Sequence, residues 1–165
     1  MWLQLLLIVF VLLALCFGMV LLFGAPYVPT LSRQVEIALQ MANLQPGQVL
    51  LELGCGDGRM VAAAASRGIR VVAYELNPIM YWITWLRTRP YRRSVHLIWG
   101  NYWTDEWPKA DVIYVFLLNR YMAKLEQKII QRNYSCSLIS FAFQIPGRRP
   151  DAVREGLFKY DFKRH

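Results

Sequence analysis

The first chemistry legible in this chain lies in LLELGCGDGRM, residues 50–60, where Gly54, Gly56 and Gly58 stand at alternate positions. A backbone free of Cβ atoms can turn sharply there and bring bare N–H groups close to an anionic ligand at the start of a helix. Glu52 precedes the first glycine. Glu75 follows about twenty residues later, where a strand-end carboxylate can accept both hydroxyls of a ribose. A dinucleotide fold would want its third glycine one place further on, where Arg59 stands, and that weakens an NAD reading.

Holding those groups in one place requires alternating elements. Apolar runs of strand length occur at 49–53, 70–75, 95–99, 111–117 and 137–143, with a last strand at 157–162. Between them, residues 59–68 read as an alanine-rich helix stopped by Gly68, residues 77–87 as a helix capped by Asn77 with Pro78 in its first turn, and residues near 120–131 as a third. An earlier helix over 31–44 puts Val35, Ala38, Leu39 and Ala42 on one face and is broken by QPGQ. This alternation predicts a parallel α/β sheet covered on both faces, with its site outside the carboxyl ends of the first four strands.

Ahead of this domain, residues 1–23 carry no charged side chain, and all 19 basic and 11 acidic residues lie beyond them. As a helix they would span roughly 35 Å, enough to cross a hydrocarbon core of about 30 Å. A cleaved signal peptide fits less well, because MWLQ has no basic residue and the apolar run is too long. The expected organisation is a transmembrane helix at 1–23, a proline-rich junction at 24–33 and one folded domain at 34–165. Because basic residues near a span are retained on the cytoplasmic side, Arg33 and the basic domain behind it place that domain on the cytoplasmic or an equivalent matrix side. Three cysteines and two histidines, without metal-ligand spacing, argue for a reducing compartment and against a zinc or haem site.

The junction is unusually stiff. Pro26 and Pro29 bracket Tyr27 and Val28, and Thr30 follows; even fully extended, about 3.1 Å per residue allows a reach near 30 Å, so the site must work close to the bilayer.

Taken together, PYVPT, ELGCGDGR, YELNP and a tryptophan in the turn after the third strand resemble the small membrane-anchored lysine N-methyltransferases that act on the ATP synthase c-ring and on the adenine nucleotide translocase, with their prokaryotic relatives. The likeness runs over roughly residues 26–162. It implies a Rossmann-like class I methyltransferase fold, S-adenosylmethionine as cofactor with S-adenosylhomocysteine as product, and a membrane-protein lysine as acceptor. By the same resemblance, Glu52 orients the amino group of the cofactor's methionine, the amides of Gly54, Gly56 and Gly58 meet its carboxylate, and Glu75 holds the ribose. Asn101 falls where the family commonly places an aspartate near the adenine. Tyr27 and Thr30 close over the methyl donor, and Asn119, in FLLNRY, is the nearest polar candidate for the substrate amine.

Simpler roles compete at several positions. Asp57 is expected either to cap the following helix or to touch the ligand. Arg59, unfavourably placed at a helix N-terminus, should pair with an acid or an anion, and His96 reads as a packed or edge residue. In WITWLRTRPYRR, residues 82–93, the favoured expectation packs Trp82 and Trp85 on the sheet and leaves Arg87, Arg89, Arg92 and Arg93 solvated; rest on anionic lipid comes second. The anchor argues against a nucleic-acid partner. Because only about twenty residues follow Phe143, the sheet is expected to be trimmed, with one closing strand. Two other functions stay open: methylation of a membrane-dissolved quinone precursor or lipid, and a silent S-adenosylmethionine-binding membrane scaffold.

Overall fold

A computed structural model of the protein describes residues 1–23 and 31–163. The junction residues Tyr27 and Thr30 lie outside the described residues. The chain opens with α1 (Trp2–Phe23), 22 residues long. Only part of the α1 side chains is described, and among the described residues no helix is long and apolar enough to cross a membrane. The span expected over 1–23 is therefore not established by the fold.

The order that follows is α2 (Ser32–Ala42), β1 (Val49–Leu53), α3 (Arg59–Ala65), β2 (Arg70–Glu75), α4 (Pro78–Arg87), β3 (Val95–Trp99), β4 (Val112–Val115), α5 (Asn119–Gln131), β5 (Cys136–Phe141), β6 (Ala152–Arg154) and β7 (Leu157–Phe162), with a 3-10 turn at Arg89–Tyr91. The strands form one seven-stranded sheet in the order β3-β2-β1-β4-β5-β7-β6. Strands β1 to β5 pair in parallel, whereas β7 runs antiparallel to both β5 and β6.

The expected trimming is thus corrected. The chain closes its sheet with a full hairpin, turned at Glu155 and Gly156, both at positive φ (46° and 78°), the geometry that matches the twist of a two-residue hairpin. Strand β6 has three residues, all exposed. An edge strand with no buried face shows no apolar pattern, so nothing in its residues announces it.

One layer of core joins Val35, Ala38 and Leu39 of α2 and Met60, Val61 and Ala64 of α3 to Leu50, Val71, Ala73 and Tyr114 of the sheet. The helix face expected over 31–44 is the face that is buried, and Asn43 ends α2 in the left-handed region (φ 49°) with its N–H on the Leu39 carbonyl. On the other side, Met122, Leu125 and Ile129 of α5 pack on Leu51, Ile113 and Leu138 together with Tyr102 and Trp107. Among the described residues no helix lies between β3 and β4; aromatic side chains of that loop complete the layer that helices were expected to cover.

Helix α4 packs against α3, β2 and β3, with the cap expected of it: Asn77 Oδ1 accepts from the N–H groups of Ile79 (2.9 Å) and Met80 (3.3 Å). The packing expected of its tryptophans is corrected. Trp82 is 58% exposed and Leu86 59% exposed, with Trp85 half-buried. His96 lies exposed on β3, at the free edge of the sheet.

Candidate active site

Parallel register brings the carboxyl ends of β1 and β2 side by side, with Glu52 opposite Ala73 and Leu53 opposite Tyr74. The chain then leaves β1 through the glycine turn, where the N–H groups of Gly54 and Cys55 both donate to the Tyr74 carbonyl (3.0 and 2.9 Å). Gly54, Gly56 and Gly58 all sit at positive φ (85°, 56° and 75°). Gly58 meets a second constraint: a Cβ there would lie 2.6 Å from Thr84 Cγ2 and 2.8 Å from Thr84 Oγ1. Thr84, fully buried on α4, donates from Oγ1 to the Gly56 carbonyl at 2.6 Å. The turn is clamped to α4 through contact that only glycine permits.

Glu75 braces the same turn from β2. Its Oε2 accepts from the Gly56 N–H (2.7 Å) and its Oε1 from the Asn77 N–H (2.8 Å). Burial raises its carboxyl above the ordinary range, and those backbone donors partly offset the rise. A carboxylate has about four acceptor directions, so these donors do not exhaust it.

Asp57 neither caps α3 nor stays free. The N-cap of α3 is Gly58, with no side-chain cap bond, and the Asp57 carboxylate pairs with Arg59 Nε (2.8 Å) and Arg87 NH2 (3.1 Å). This supplies the acid expected beside Arg59 and ties the turn to the end of α4.

Glu52 is the outlier. It is 4% exposed, and its Oε2 has no hydrogen-bond partner among the described residues. Burial first, then the neighbouring Glu75 and Asp57, push its carboxyl well above the usual range. A buried polar atom without a partner is costly, and here it belongs to a cluster of three acids. A cationic group beside Glu52 would favour its charged form.

A family model of the ANTKMT methyltransferase domain matches residues 52–152, which takes in the turn, all three acids and every strand from β2 to β5. The chain belongs to this methyltransferase family. It is 34% identical over 133 residues to the ATP synthase C-subunit lysine N-methyltransferase of Xenopus laevis, covering 78% of this chain and 58% of that protein. It is 33% identical over 135 residues to the adenine nucleotide translocase lysine N-methyltransferase of Mus musculus, covering 78% of this chain and 57% of the relative. The chain thus spans under three fifths of the length of these relatives. Among solved structures, an RNA methyltransferase from Salinibacter ruber in complex with S-adenosyl-L-homocysteine superposes with a TM-score of 0.76 at 25% identity, covering 82% of this chain and 94% of that one.

Within this methyltransferase fold the remaining expected residues fall at the carboxyl edge but are differently engaged. Asn101 follows β3, and its Oδ1 accepts from the Trp103 N–H (3.0 Å), closing a turn within its own loop. That loop is held by Lys128 of α5, whose Nζ donates to the carbonyls of Tyr102 (2.7 Å), Trp103 (2.9 Å) and Asp105 (2.9 Å). The Lys128→Met variant is expected to lose about 1–3 kcal/mol of stability, the range for bonds to a charged group and for carbonyls left unpaired. Thermal melts and faster amide exchange over 101–105 would check it; unchanged exchange would show the loop to be held by its aromatic packing alone. Asn119 is exposed and is the first residue of α5, just beyond β4.

Sequence reasoning missed three phenylalanines. Phe116 follows β4, Phe141 ends β5 and Phe143 lies two residues on, with ring centroids 4.9 Å (Phe116 to Phe141) and 6.4 Å (Phe116 to Phe143) apart. Between the last two, Ala142 is held at φ 67°, its N–H donating to the Gly156 carbonyl at 2.8 Å. A non-glycine residue in that region is strained. The three rings form a half-buried aromatic cluster at the carboxyl ends of β4 and β5, visible only in the folded chain.

Proposed function

We propose that this chain is an S-adenosylmethionine-dependent protein-lysine N-methyltransferase, held at a membrane by α1 and acting on a membrane protein. The observation that carries the reading is the buried, partnerless Glu52 Oε2 beside the glycine turn, in a chain of this family. S-adenosylmethionine, when bound, supplies a sulfonium methyl group for transfer to a nucleophile.

The residues present fit that cofactor. Glu52 would hold its ammonium group and Glu75 its ribose, with Asn101 toward the adenine; the N–H groups of Gly54, Gly56 and Gly58, expected to meet its carboxylate, already donate to the Tyr74 carbonyl, Glu75 Oε2 and the Cys55 carbonyl, so that carboxylate would need another donor. Glu52 and Glu75 would favour a cation beside them, and the ion pairs of Asp57 keep the turn in place.

The acceptor side must do the opposite. A lysine ammonium has to lose its proton before attack, which costs roughly 4–5 kcal/mol at neutral pH. Phe116, Phe141 and Phe143, half-buried at the ends of β4 and β5, would strip water from the approaching side chain and so favour its neutral form; their faces can then rest against the methylated ammonium. Asn119 would orient the amine. By the family resemblance, Tyr27 and Thr30 would close the site over the donor.

Replacing Phe116 with alanine is expected to leave donor affinity within a few-fold of the parent and to cut turnover at saturating donor by about tenfold or more, since the reacting groups lose their alignment. Equal turnover would move the acceptor channel elsewhere.

Support for the membrane comes from α1, a 22-residue helix whose sequence is free of charged side chains; the basic domain behind it favours the cytoplasmic or matrix side. Incubating the full chain and native membranes with methyl-labelled donor tests the whole reading. Label on protein lysine is the expected result. Label in the organic extract would point instead to a small membrane-dissolved acceptor, and donor binding without transfer to a silent scaffold.

A further inference from the structure

We propose that α4, the 3-10 turn after it and the end of β3 form a second membrane contact, a face that docks the folded domain on the headgroups of an anionic bilayer. Among the described residues outside α1, the exposed large apolar ones are Leu31, Trp82, Leu86, Trp99, Ile130 and Val153. Three of these six, Trp82 (58%), Leu86 (59%) and Trp99 (64%), belong to α4 and the end of β3. They are linked by an aromatic ribbon: Trp85 lies edge-on to Trp82 (5.5 Å), Trp82 to Tyr81 (6.1 Å), and Tyr81 leans on Trp99 (6.5 Å).

Charge decides the partner. From Leu76 to Thr104 the chain has no aspartate or glutamate, yet it carries Arg87, Arg89, Arg92 and Arg93. Arg87 is committed to Asp57. Arg89, Arg92 and Arg93 are exposed and, among the described residues, enter no ion pair; Arg92 lies over the Trp85 ring at 4.7 Å. Tryptophan and tyrosine beside such arginines suit the interface between headgroup and acyl chain, where rings bury their edges and guanidinium groups meet lipid phosphates. A protein partner for the same apolar ribbon would be expected to bring acids, but would not depend on lipid charge.

Trp99 pairs in register with Glu75, so docking by this face sets the mouth of the glycine-turn site against the bilayer surface. The substrate class follows: residues presented within the headgroup layer. The inference rests on the membrane reading only for what surface the domain meets.

Hydroxyl-radical footprinting of the full chain, in nanodiscs of phosphatidylcholine alone and of phosphatidylcholine with phosphatidylglycerol, tests it. Modification of Trp82 and Leu86 is expected to fall by about threefold or more in the anionic discs relative to the neutral ones, since each basic residue near an anionic surface adds attraction. The triple variant Arg89→Glu, Arg92→Glu, Arg93→Glu should lose that protection while keeping its melting temperature and donor affinity, and a triple glutamine variant should lose most of it. Equal modification in both discs overturns the proposal, as does protection that persists in the triple variants, which would indicate a protein contact. If the chain does not enter discs at all, α1 is not an anchor; added anionic vesicles then give the same footprint test of this face by itself.

Discussion

Glu52→Gln is expected to bind S-adenosylmethionine about 10- to 100-fold more weakly than the parent chain, the equivalent of about 1.5–3 kcal/mol for one charged hydrogen bond, and yet to melt at a higher temperature without ligand. Both effects have one cause. The Glu52 carboxyl is buried beside Glu75 and Asp57, its Oε2 lacks a partner, and its ionisation is pushed well above the ordinary range. Because the folded state holds the proton more tightly than the unfolded chain, Glu52 contributes stability below the ordinary carboxylate pKa of about 4 and loses it as pH rises through its raised value. Above the ordinary carboxylate range the raised ionisation is a cost to the folded state, which glutamine removes. The stability gap between variant and parent should therefore widen as pH rises. Donor affinity should move the other way: the parent loses affinity as pH falls and Glu52 takes up its proton, whereas the variant is flatter, with Glu75 contributing the residual slope. Calorimetric titrations and melts across mildly acidic to neutral pH measure both. An unchanged affinity in the glutamine variant would remove Glu52 from the site.

Gly58→Ala is expected to lose about 2–5 kcal/mol of stability, adding a left-handed residue with a side chain to an overpacked contact. The backbone there has φ 75°, and the new Cβ would meet Thr84 Cγ2 at 2.6 Å, Oγ1 at 2.8 Å and Cβ at 3.0 Å. Thr84 has little room to yield, since it is fully buried and its hydroxyl is committed to the Gly56 carbonyl. Displacing it would also release the turn from α4, so donor binding should fall with stability. Adding Thr84→Ser to the variant removes the nearest methyl group and should recover part of the loss in denaturant melts. No recovery would show the cost to lie wholly in the backbone. A melt like that of the parent would show that the turn can shift without α4.

How much of this was legible beforehand differs by residue. Local patterns read correctly: the strands at 49–53, 70–75, 95–99 and 157–162 coincide with those of the fold, because each is an apolar run bounded by turn residues and its identity depends only on neighbours. The Asn77 cap was readable for the same reason. Partners were not. That Asp57 would take both Arg59 and Arg87, or that Lys128 would gather three carbonyls from a loop more than twenty residues away, depends on which helices are brought together. Strand β6 had no pattern to read, since an exposed edge demands none.

The sequence by itself determined the glycine turn, the acids that flank it, the order of elements apart from β6, and the family, because backbone freedom, apolar period and motif spacing are properties of short stretches. Only the tertiary structure decided which of those groups are braces and which remain open to a ligand. Glu75 lends its oxygens to Gly56 and Asn77, while Glu52 is left buried without a partner for Oε2. It also turned Trp82 and Trp99 outward and gathered Phe116, Phe141 and Phe143 at one sheet edge. The physical reason is the same in each case: burial, pairing and desolvation are set by atoms distant in the chain, and they exist only once the parallel register has aligned the carboxyl ends of β1, β2, β4 and β5.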